Sequence, residues 1–447
     1  MRILCIDSGG GNALDFLMRC QKWGHQVRYY NKPLKGGVYH KVGDNIVPKI
    51  EDFDSLRAKW IDWADLIYLP DNAQYVDLVD PYRKLGYPVW GPSPEARDWE
   101  LDRAKGQAVF KRAGIKTIPG REFRDYDSAI AYVKKEGKAF VSKPSGEADK
   151  ALSYVSNSAA DLVYMFERWK KNPKYVASAR EHGFIIQEKK RGCEMGITGW
   201  FGPGGWAAYW EEDFEYKKLM AGDCGPNTGE MGTLTRFVKE SKLADILLTP
   251  ITKQLHEIGY VGSCNVNCMI DEEGTPWPFE FTMRDGWPAE HNEMALSVGD
   301  PAQWRVDLIN GKDTREVTYN LCSISVVVAI PDFPYSHITN KETEGIPIYG
   351  CEDMEHVHLS EAMLGEAPIM IGDEVVNGPC FLTTGDYVLV VCGTGETITG
   401  ARRSAYSALK KVNIPNSPLY RTDIGRGKLV EELPRIQKLG YAKGLSY

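Results

Sequence analysis

The sequence predicts an α/β protein that begins with a parallel-sheet domain, continues with two α+β lobes and ends with an α/β domain. Residues 2–7 form an apolar strand pattern, a glycine turn follows at 8–11, and a helical run then leads into the strand pattern GHQVRYY. This strand–helix–strand order is typical of an open parallel sheet, which binds ligands at such turns. A length of 447 residues also suggests about three structural units.

The first unit is expected to span residues 1–92. Leu14, Leu17 and Met18 lie on one face of the helix that follows the glycine turn. The segments LIYLPD and YPVWGP predict two further strands, with a helical stretch between them.

The second unit is expected to span residues 93–318. Ser93 and Pro94 form a helix start, with Ser as the cap and Pro in the first turn. We predict one helix from there to Gly114. Strands are then predicted at AFVSKP, FIIQEK, MGITGWF, CNVNCMID and PWPFEF, an order that fits two α+β lobes in series.

The third unit is expected to span residues 319–447. SISVVVAIP and DYVLVVCGT are strongly β in composition, whereas TGARRSAYSALKKV has a helical stripe of Ala401, Ala405 and Leu409.

Composition limits the classes of partner. A net charge of −7 argues against nucleic acid or anionic lipid as the main partner. The sequence has no apolar run of membrane-spanning length, so we expect no membrane contact. Its ten cysteines form no CxxC pair, and Cys264 and Cys268 fit core thiols on one strand face. Dispersed thiols fit a reducing compartment, so we expect a cytoplasmic protein. The sequence does not indicate an oligomeric state.

Two lysines are candidates for binding phosphate. Lys105 lies in the helix after Ser93, and Lys143 ends an apolar strand before a Ser-Gly turn, where an ammonium group can meet a phosphate. Taken alone, each lysine is better explained as a solvated surface charge. The turn at 144–150 could cover a ligand, although a plain hairpin connection is a strong competitor.

The strand that ends in Gln187, Glu188 and Lys189 could present backbone groups to the edge of a nucleotide base. Glu194, six residues after Glu188, could accept hydrogen bonds from ribose hydroxyls. A solvated, charged face explains the same segment and is locally the better interpretation.

The strand pair near residue 280 points to a metal site. Asn267, Glu280 and Thr282 are expected to supply oxygen ligands on one face of two neighbouring strands. Such a donor set suits Mg²⁺ whose shell is completed by nucleotide phosphates. Arg284 continues the period of two and could hold phosphoryl oxygens. A glutamate between Phe279 and Phe281 would otherwise simply face solvent.

The stretch from Gly222 to Gly232 is dense in turn-forming residues. By composition it is a loop, which could also form an anion nest or bind an amine. Its segment DCGPNTGEMG closely resembles the signature loop DTGPNTGGMG of glycinamide ribonucleotide synthetases, which are ATP-grasp ligases. GPSPEARDWELDRAKGQAVFKRAGIKT, VSKPSG, IIQEKKRGCE, PFEFTMRDGWP and YRTDIGRG are similar to further segments of that family, in the same order, so the resemblance covers nearly the whole chain.

The resemblance implies a two-lobed ATP-grasp core and an ATP-dependent ligase of purine biosynthesis. Glycine would be activated as an acyl phosphate and joined to phosphoribosylamine, with release of ADP and phosphate. The implied cofactors are ATP and Mg²⁺ or Mn²⁺, and the implied partners are small molecules, an amino acid and a phosphorylated amine. The carry-over assigns ATP to Lys105, Lys143, Lys150, Gln187, Glu188, Lys189 and Glu194, metal to Glu280, Asn267 and Thr282, and catalysis to Arg284 and Lys143.

The substrate side departs from the family pattern. The family turn GGREHAL reads GGGNALDF here, so its Arg and His are missing, and the metal asparagine is replaced by Thr282. We expect Asp223, Pro226, Asn227 and Thr228 to bind glycine, and the backbone amides of Gly9, Gly10 and Gly11 to receive a phosphate.

Two alternatives follow from these departures. One is an ATP-grasp ligase that joins an amino acid to a different amine, with phosphoribosylamine used poorly. The other is a degenerate nucleotide-binding protein without chemistry. Joint retention of Lys105, Lys143, Glu194, Glu280 and Arg284 argues against the second.

Overall fold

The computed structural model describes residues 1–34, 39–71, 74–145, 152–335, 342–353, 355–415 and 418–447. Lys150 and most of the turn after Pro144 lie outside these residues. Among the helices in these ranges, none combines the length and apolar character needed to cross a membrane.

The N-terminal unit is a four-stranded sheet with all strands parallel, in the order β2-β1-β3-β4. This confirms the predicted parallel-sheet domain. Its elements are β1 (Arg2–Asp7), α1 (Leu14–Lys22), β2 (Gln26–Asn31), α2 (Phe53–Ser55) continued by a π-helical turn (Leu56–Trp60), β3 (Leu66–Tyr68), α3 (Val76–Lys84) and β4 (Val89–Trp90).

The helix predicted from Ser93 to Gly114 is two helices, α4 (Pro94–Leu101) and α5 (Arg103–Arg112). Asp102 has extended backbone angles, and its side chain accepts hydrogen bonds from the amides of Ala104 and Lys105, so it ends α4 and caps α5. The prediction missed this break because the apolar spacing continues through it, whereas an Asp cap competes locally with the helix.

The small lobe that follows is a four-stranded sheet in the order β5-β8-β6-β7, covered by three helices. An aromatic core that includes Phe140, Phe166 and Phe184 joins the sheet to these helices. The elements are β5 (Gly120–Phe123), α6 (Tyr126–Glu136), β6 (Phe140–Pro144), β7 (Tyr154–Val155), α7 (Ala159–Lys170), α8 (Pro173–His182) and β8 (Phe184–Glu188).

Nine strands of the described chain form one large sheet, in the order β16-β15-β9-β11-β14-β19-β24-β21 with β10 paired to β9. These strands are β9 (Cys193–Gly202), β10 (Gly205–Trp206), β11 (Trp210–Glu215), β14 (Gly232–Val238), β15 (Gly262–Ile270), β16 (Pro276–Thr282), β19 (Cys322–Ala329), β21 (Val357–Leu359) and β24 (Tyr387–Gly395). Because β14 pairs with β19, the boundary predicted at residue 319 does not separate two sheets.

The remaining elements surround this sheet. A two-stranded hairpin lies at one end of β14, and a longer hairpin, which the sequence analysis did not predict, extends from the C-terminal region. They are β12 (Lys218–Met220), β13 (Cys224–Asn227), α9 (Lys242–Leu247), α10 (Thr252–Glu257), α11 (Ala289–Leu296), β17 (Ser297–Val298), α12 (Pro301–Ile309), β18 (Glu316–Val317), β20 (Pro347–Ile348), β22 (Ala362–Ile371), β23 (Glu374–Thr383), α13 (Ile398–Leu409) and α14 (Lys428–Lys438).

Candidate active site

A row of polar residues crosses four neighbouring strands of the large sheet. Asp213 on β11 pairs with Gly196 on β9, Gly196 pairs with Asn267 on β15, and Asn267 pairs with Glu280 on β16. A Cβ atom at Gly196 would lie 2.2 Å from Asp213 Oδ1, so only glycine leaves room for this carboxylate. The register therefore places Asn267 and Glu280 side by side, as the sequence indicated.

A second polar row lies two residues along the same strands. Thr282 pairs with Asn265, and Asn265 pairs with Thr198. The Asn265 amide donates to Thr198 Oγ1 at 3.0 Å and to Asp213 Oδ2 at 3.2 Å. Thr282 thus lies on the same face of β16 as Glu280, two residues further along the strand, and its partner on β15 is Asn265 and not Asn267.

The two rows leave buried oxygen atoms without hydrogen-bond partners. Within the described residues, these are Oδ1 of Asp213, Asn265 and Asn267. The amide nitrogen of Asn267 donates to Glu215 Oε1 at 2.7 Å, which orients its oxygen. Buried oxygens normally have partners, and carboxylate and amide oxygens are the donors that hard divalent cations take. The residues present therefore fit a divalent metal ion.

Cations from two elements meet the Glu280 carboxylate. The Arg103 guanidinium hydrogen-bonds to Glu280, and Lys143 Nζ lies 4.0 Å from it. Burial would raise the pKa of Glu280, but the charges of Lys143, Arg103 and Lys217 hold it below its usual range. Burial lowers the pKa of Lys143 to about 8. The predicted metal ligand and the predicted phosphate-binding lysine are therefore neighbours.

Lys217 is a further cation of this cluster that the sequence analysis missed. Its Nζ lies 2.7 Å from Glu194 and 2.9 Å from Glu215. Burial would lower the pKa of Lys217, but Glu194, Glu215 and Glu280 raise it well above its usual value. The missed signal was the alternation Glu211, Asp213 and Glu215 in WEEDFE, because a strand places such residues on one face.

The structure does not bring Lys105 to this cluster. Lys105 Nζ pairs with Asp98 at 2.6 Å and its side chain is 56% exposed, which matches the surface-charge alternative. Arg103, two residues earlier, lies on the side of α5 that faces Glu280 and also donates to the Pro144 carbonyl at 3.1 Å. Arg103 is therefore the basic residue of α5 that contacts Glu280, whereas the assignment of Lys105 to ATP stays a prediction.

The predicted base- and ribose-binding residues are spread over two places. Gln187 is buried at the end of β8, and Glu188 pairs with Lys138 at 3.0 Å and Lys190 at 3.3 Å. Lys189 Nζ donates to the Ser156 carbonyl at 2.8 Å. Glu194 lies on β9 against Lys217, so the structure joins it to the Glu280 cluster rather than to the end of β8.

Arg284 lies just beyond the end of β16. Its Nε atom is 3.5 Å from Glu100, and its Nη1 donates to the carbonyl of Asp285 at 3.1 Å. These contacts anchor the side chain beside α4 and not in the two polar rows.

The segment predicted to bind glycine is the hairpin of β12 and β13. Pro226 and Asn227 end β13, and the Thr228 amide and hydroxyl both donate to the carbonyl of Lys217. Asp223 pairs with Arg421 at 3.0 Å, so its carboxylate already has a cationic partner. The hairpin is thereby connected to Lys217 at one end and to the C-terminal region at the other.

The glycine turn after β1 is surrounded by carboxylates. Asp7 accepts from the Gly9 amide at 3.0 Å, and Asp71 accepts from the Ser8 amide at 3.1 Å and the Ser8 hydroxyl at 2.8 Å. Of the amides expected to receive a phosphate, that of Gly9 is therefore already bonded within the protein. Gly11 packs so closely that a Cβ atom there would lie 2.6 Å from the Ser360 carbonyl oxygen.

Asp7 should make stability pH-dependent. Asp7 is fully buried, and burial together with the charge of Asp71 raises its pKa to about 7, although the Tyr29 hydroxyl donates to it. Since the folded pKa lies above the unfolded value of about 3.9, this stability is complete at low pH and is lost as pH rises towards 7. Relative to Asp7→Asn, we expect the unfolding free energy of the parent protein to fall by about 1.4 kcal/mol per pH unit between roughly pH 5 and 7.

Urea unfolding of both proteins at four pH values from 5 to 8 measures this difference. Equal pH slopes for the parent protein and Asp7→Asn would show that the carboxyl is ionised throughout.

The part of the chain that contains this site matches the model of a known protein family. The family model described as phosphoribosylglycinamide synthetase, ATP-grasp (A) domain, matches residues 103–290. This part of the chain is similar to the ATP-grasp domain of that family. The matched range contains the Glu280 cluster and the β12–β13 hairpin, and the resemblance seen in the sequence is confirmed.

Curated relatives resemble the chain over most of its length. It is 28% identical over 372 residues to the phosphoribosylamine–glycine ligase of Ralstonia nicotianae, covering 80% of this chain and 82% of the relative. The enzyme of the same name from Archaeoglobus fulgidus is 24% identical, covering 95% and 99%.

Solved structures share the ATP-grasp fold. The phosphoribosylamine–glycine ligase of Thermotoga maritima superposes with a TM-score of 0.72 at 20% identity, covering 95% of this chain and all of that one. A biotin carboxylase from Campylobacter jejuni superposes with a TM-score of 0.61 at 15% identity, covering 98% and 97%. ATP-grasp proteins bind ATP with a divalent metal ion, so the shared fold agrees with the oxygen-rich rows around Glu280.

Proposed function

We propose that this chain is an ATP-dependent carbon–nitrogen ligase that joins glycine to phosphoribosylamine, with release of ADP and phosphate, in purine biosynthesis. The observation that carries the proposal is the Glu280 cluster inside the matched range, where Arg103 and Lys143 meet the carboxylate and Asn267 is the partner of Glu280 on the neighbouring strand. The names of the relatives favour this reaction over a different amine and over a protein without activity.

The first chemical step is attack of the glycine carboxylate on the γ-phosphate of ATP. Both reactants are anionic, so cations must lower their repulsion, and Arg103, Lys143 and Lys217 supply three positive charges around Glu280. The acyl phosphate formed is then captured by the amine, which gives the amide and releases phosphate. Exclusion of water protects the acyl phosphate from hydrolysis until that capture.

Glu280 and Asn267 are the residues that would hold a divalent ion, which we propose is Mg²⁺, with Thr282 one step along the strand. When bound, such an ion neutralises charge on the phosphate oxygens and orients them. The protein's contribution is the fixed register of β15 and β16, which presents both oxygen donors on one face. Since Mn²⁺ prefers the same oxygen ligands as Mg²⁺, it should substitute for Mg²⁺ at this site.

Lys143→Ala should weaken ATP binding. The variant removes an ammonium group that faces Glu280 and packs 4.8 Å from the centre of the Phe279 ring. A charged hydrogen bond to phosphate contributes about 1.5–3 kcal/mol, so the dissociation constant should rise roughly ten- to a hundredfold. Calorimetric titration with ATP measures this change.

Lys170→Ala is the matched control, because Lys170 pairs with Asp127 on the surface of the same lobe. Unchanged ATP affinity in Lys143→Ala would remove this lysine from the nucleotide site.

Glycine-dependent release of ADP tests the proposed activity. The protein is incubated with ATP, Mg²⁺ and an amine acceptor, and ADP is measured with and without glycine. We expect ADP release only with glycine, whereas tight ATP binding without ADP formation in the presence of any amino acid would favour a binding protein.

The dispersed cysteines, which are all free thiols, support a site of action in the cytoplasm, and we propose that location.

A further inference from the structure

Arg421, in the segment that follows α13, is a buried cation that the proposed chemistry does not use. Its side chain is 1% exposed. Nη1 donates to the Lys218 carbonyl and to Asp223, both at 3.0 Å, while Nε and Nη2 donate to the two oxygens of Asp423 at 2.8 and 2.7 Å. Four of its five N–H groups are thus hydrogen-bonded, and two of these bonds reach the β12–β13 hairpin.

The hairpin turn needs such contacts. Gly222 and Asp223 have φ angles of +71° and +54°. Residues other than glycine rarely adopt such angles, so the backbone at Asp223 is unfavourable without further contacts. The Gly222 amide donates to Asp423 Oδ2 at 2.9 Å, and the Asp223 carboxylate receives the guanidinium. Arg421 and Asp423 therefore hold both residues of the turn from outside the hairpin.

The same segment holds the chain just before the hairpin. The Arg421 guanidinium lies 5.0 Å from the centre of the Tyr216 ring. The Tyr216 hydroxyl accepts from the Gly425 amide and donates to the Arg426 carbonyl, both at 3.0 Å. The next residue is Lys217, the cation that contacts Glu194 and Glu215 in the active-site cluster.

We propose that Arg421 and Asp423 are positioning residues that set the β12–β13 hairpin and Lys217 for binding of the amino-acid substrate. The inference rests on the proposed function, since it assigns that hairpin to the amino acid. The C-terminal segment 421–426 then belongs to the active site, although it lies outside the matched ATP-grasp domain. Asp223 acts in this arrangement as an anchor of the hairpin, and the backbone of the hairpin faces the substrate.

The test compares steady-state kinetics of Arg421→Met, Arg421→Lys and the parent protein, with ADP release as the readout. In Arg421→Met we expect the KM for glycine to rise roughly tenfold or more, because small misplacements of binding groups are costly. ATP affinity, measured by calorimetry, should change less than about twofold, since Lys143 and Glu280 are untouched. Arg421→Lys should recover part of the KM, because it keeps the charge beside Asp223 and Asp423.

Arg435→Met is the matched control. Arg435 also donates to two backbone carbonyls, those of Ile270 and Asp271, and pairs with Glu432, but it does not contact the hairpin. If Arg421 had a purely structural role, Arg421→Met and Arg435→Met would both have a lower folded fraction, and neither would change the KM for glycine. That result would overturn the proposal.

If Arg421→Met fails to fold, Asp423→Asn decides, because it keeps the side-chain volume but removes the charge and one of the two oxygens that accept from Arg421 and Gly222. A normal KM for glycine in folded Asp423→Asn would contradict the proposal. Absence of glycine-dependent ADP release in the parent protein would instead overturn the proposed function.

Discussion

Glu280→Gln should lower the rate of ADP formation at least roughly a hundredfold while the protein stays folded. The carboxylate accepts from Arg103 and lies 4.0 Å from Lys143, and Glu280 is the register partner of Asn267 on the neighbouring strand. The amide has the same shape but no charge, so the proposed metal ion loses its anionic ligand and the cations lose their common partner. Steady-state ADP release, with circular dichroism as a check of folding, measures the effect.

Glu273→Gln is the control for this variant. Glu273 lies in the turn between β15 and β16 and is exposed, so its substitution changes the same charge in the same hairpin without reaching the cluster. Turnover of Glu280→Gln at the parent rate would show that the metal ion is held elsewhere.

Arg305→Met should destabilise the fold by about 3–5 kcal/mol, because it leaves buried carboxyl groups without their cation. Arg305 on α12 is 3% exposed and donates to Glu290 at 2.8 Å and to Asp285 at 3.3 Å. Tyr68 and Trp90 from the N-terminal sheet also hydrogen-bond to Asp285. The arginine therefore stabilises the junction between the N-terminal unit and the rest of the chain.

Urea unfolding at pH 7.5 and 5.5 measures this loss. Burial already raises the pKa of Glu290 and Arg305 opposes that rise, so the pKa should climb further without the arginine, and the deficit should be smaller at the lower pH, where Glu290 binds a proton. Arg2→Met, which removes an exposed pair with Asp65, should show no comparable loss. Equal stability of Arg305→Met and the parent protein would contradict a stabilising role of this arginine at the junction.

The fold was predictable where local pattern and tertiary structure agree. The glycine turn after Asp7, the strand pair at Asn267 and Glu280, and the helical stripe of Ala401 and Ala405 were each visible in the sequence and are present in the structure. The break at Asp102 was missed because one side-chain cap outweighed a continuous apolar pattern. The shared sheet was missed because pairing of β14 with β19 joins residues about ninety positions apart, which no local pattern encodes.

The site was predictable in its strands and less so in its cations. The alternation in WEEDFE and the proximity of Lys217 to a signature loop could have marked the acidic cluster. Arg103 was not recognised as a partner of Glu280, because the face that α5 turns towards β16 depends on tertiary packing. Asp71, which accepts from the Ser8 amide in the glycine turn, follows strand β3, the neighbour of β1. A contact between the ends of two separate strands cannot be predicted from either segment alone.

Formation of the amide product tests the central claim most directly. The protein is supplied with ATP, Mg²⁺, glycine and phosphoribosylamine generated in situ, and glycinamide ribonucleotide is followed by mass together with ADP. The account predicts that this product forms with one ADP per amide, and that omission of glycine or phosphoribosylamine abolishes it. Glycine-dependent release of ADP without glycinamide ribonucleotide would contradict the account.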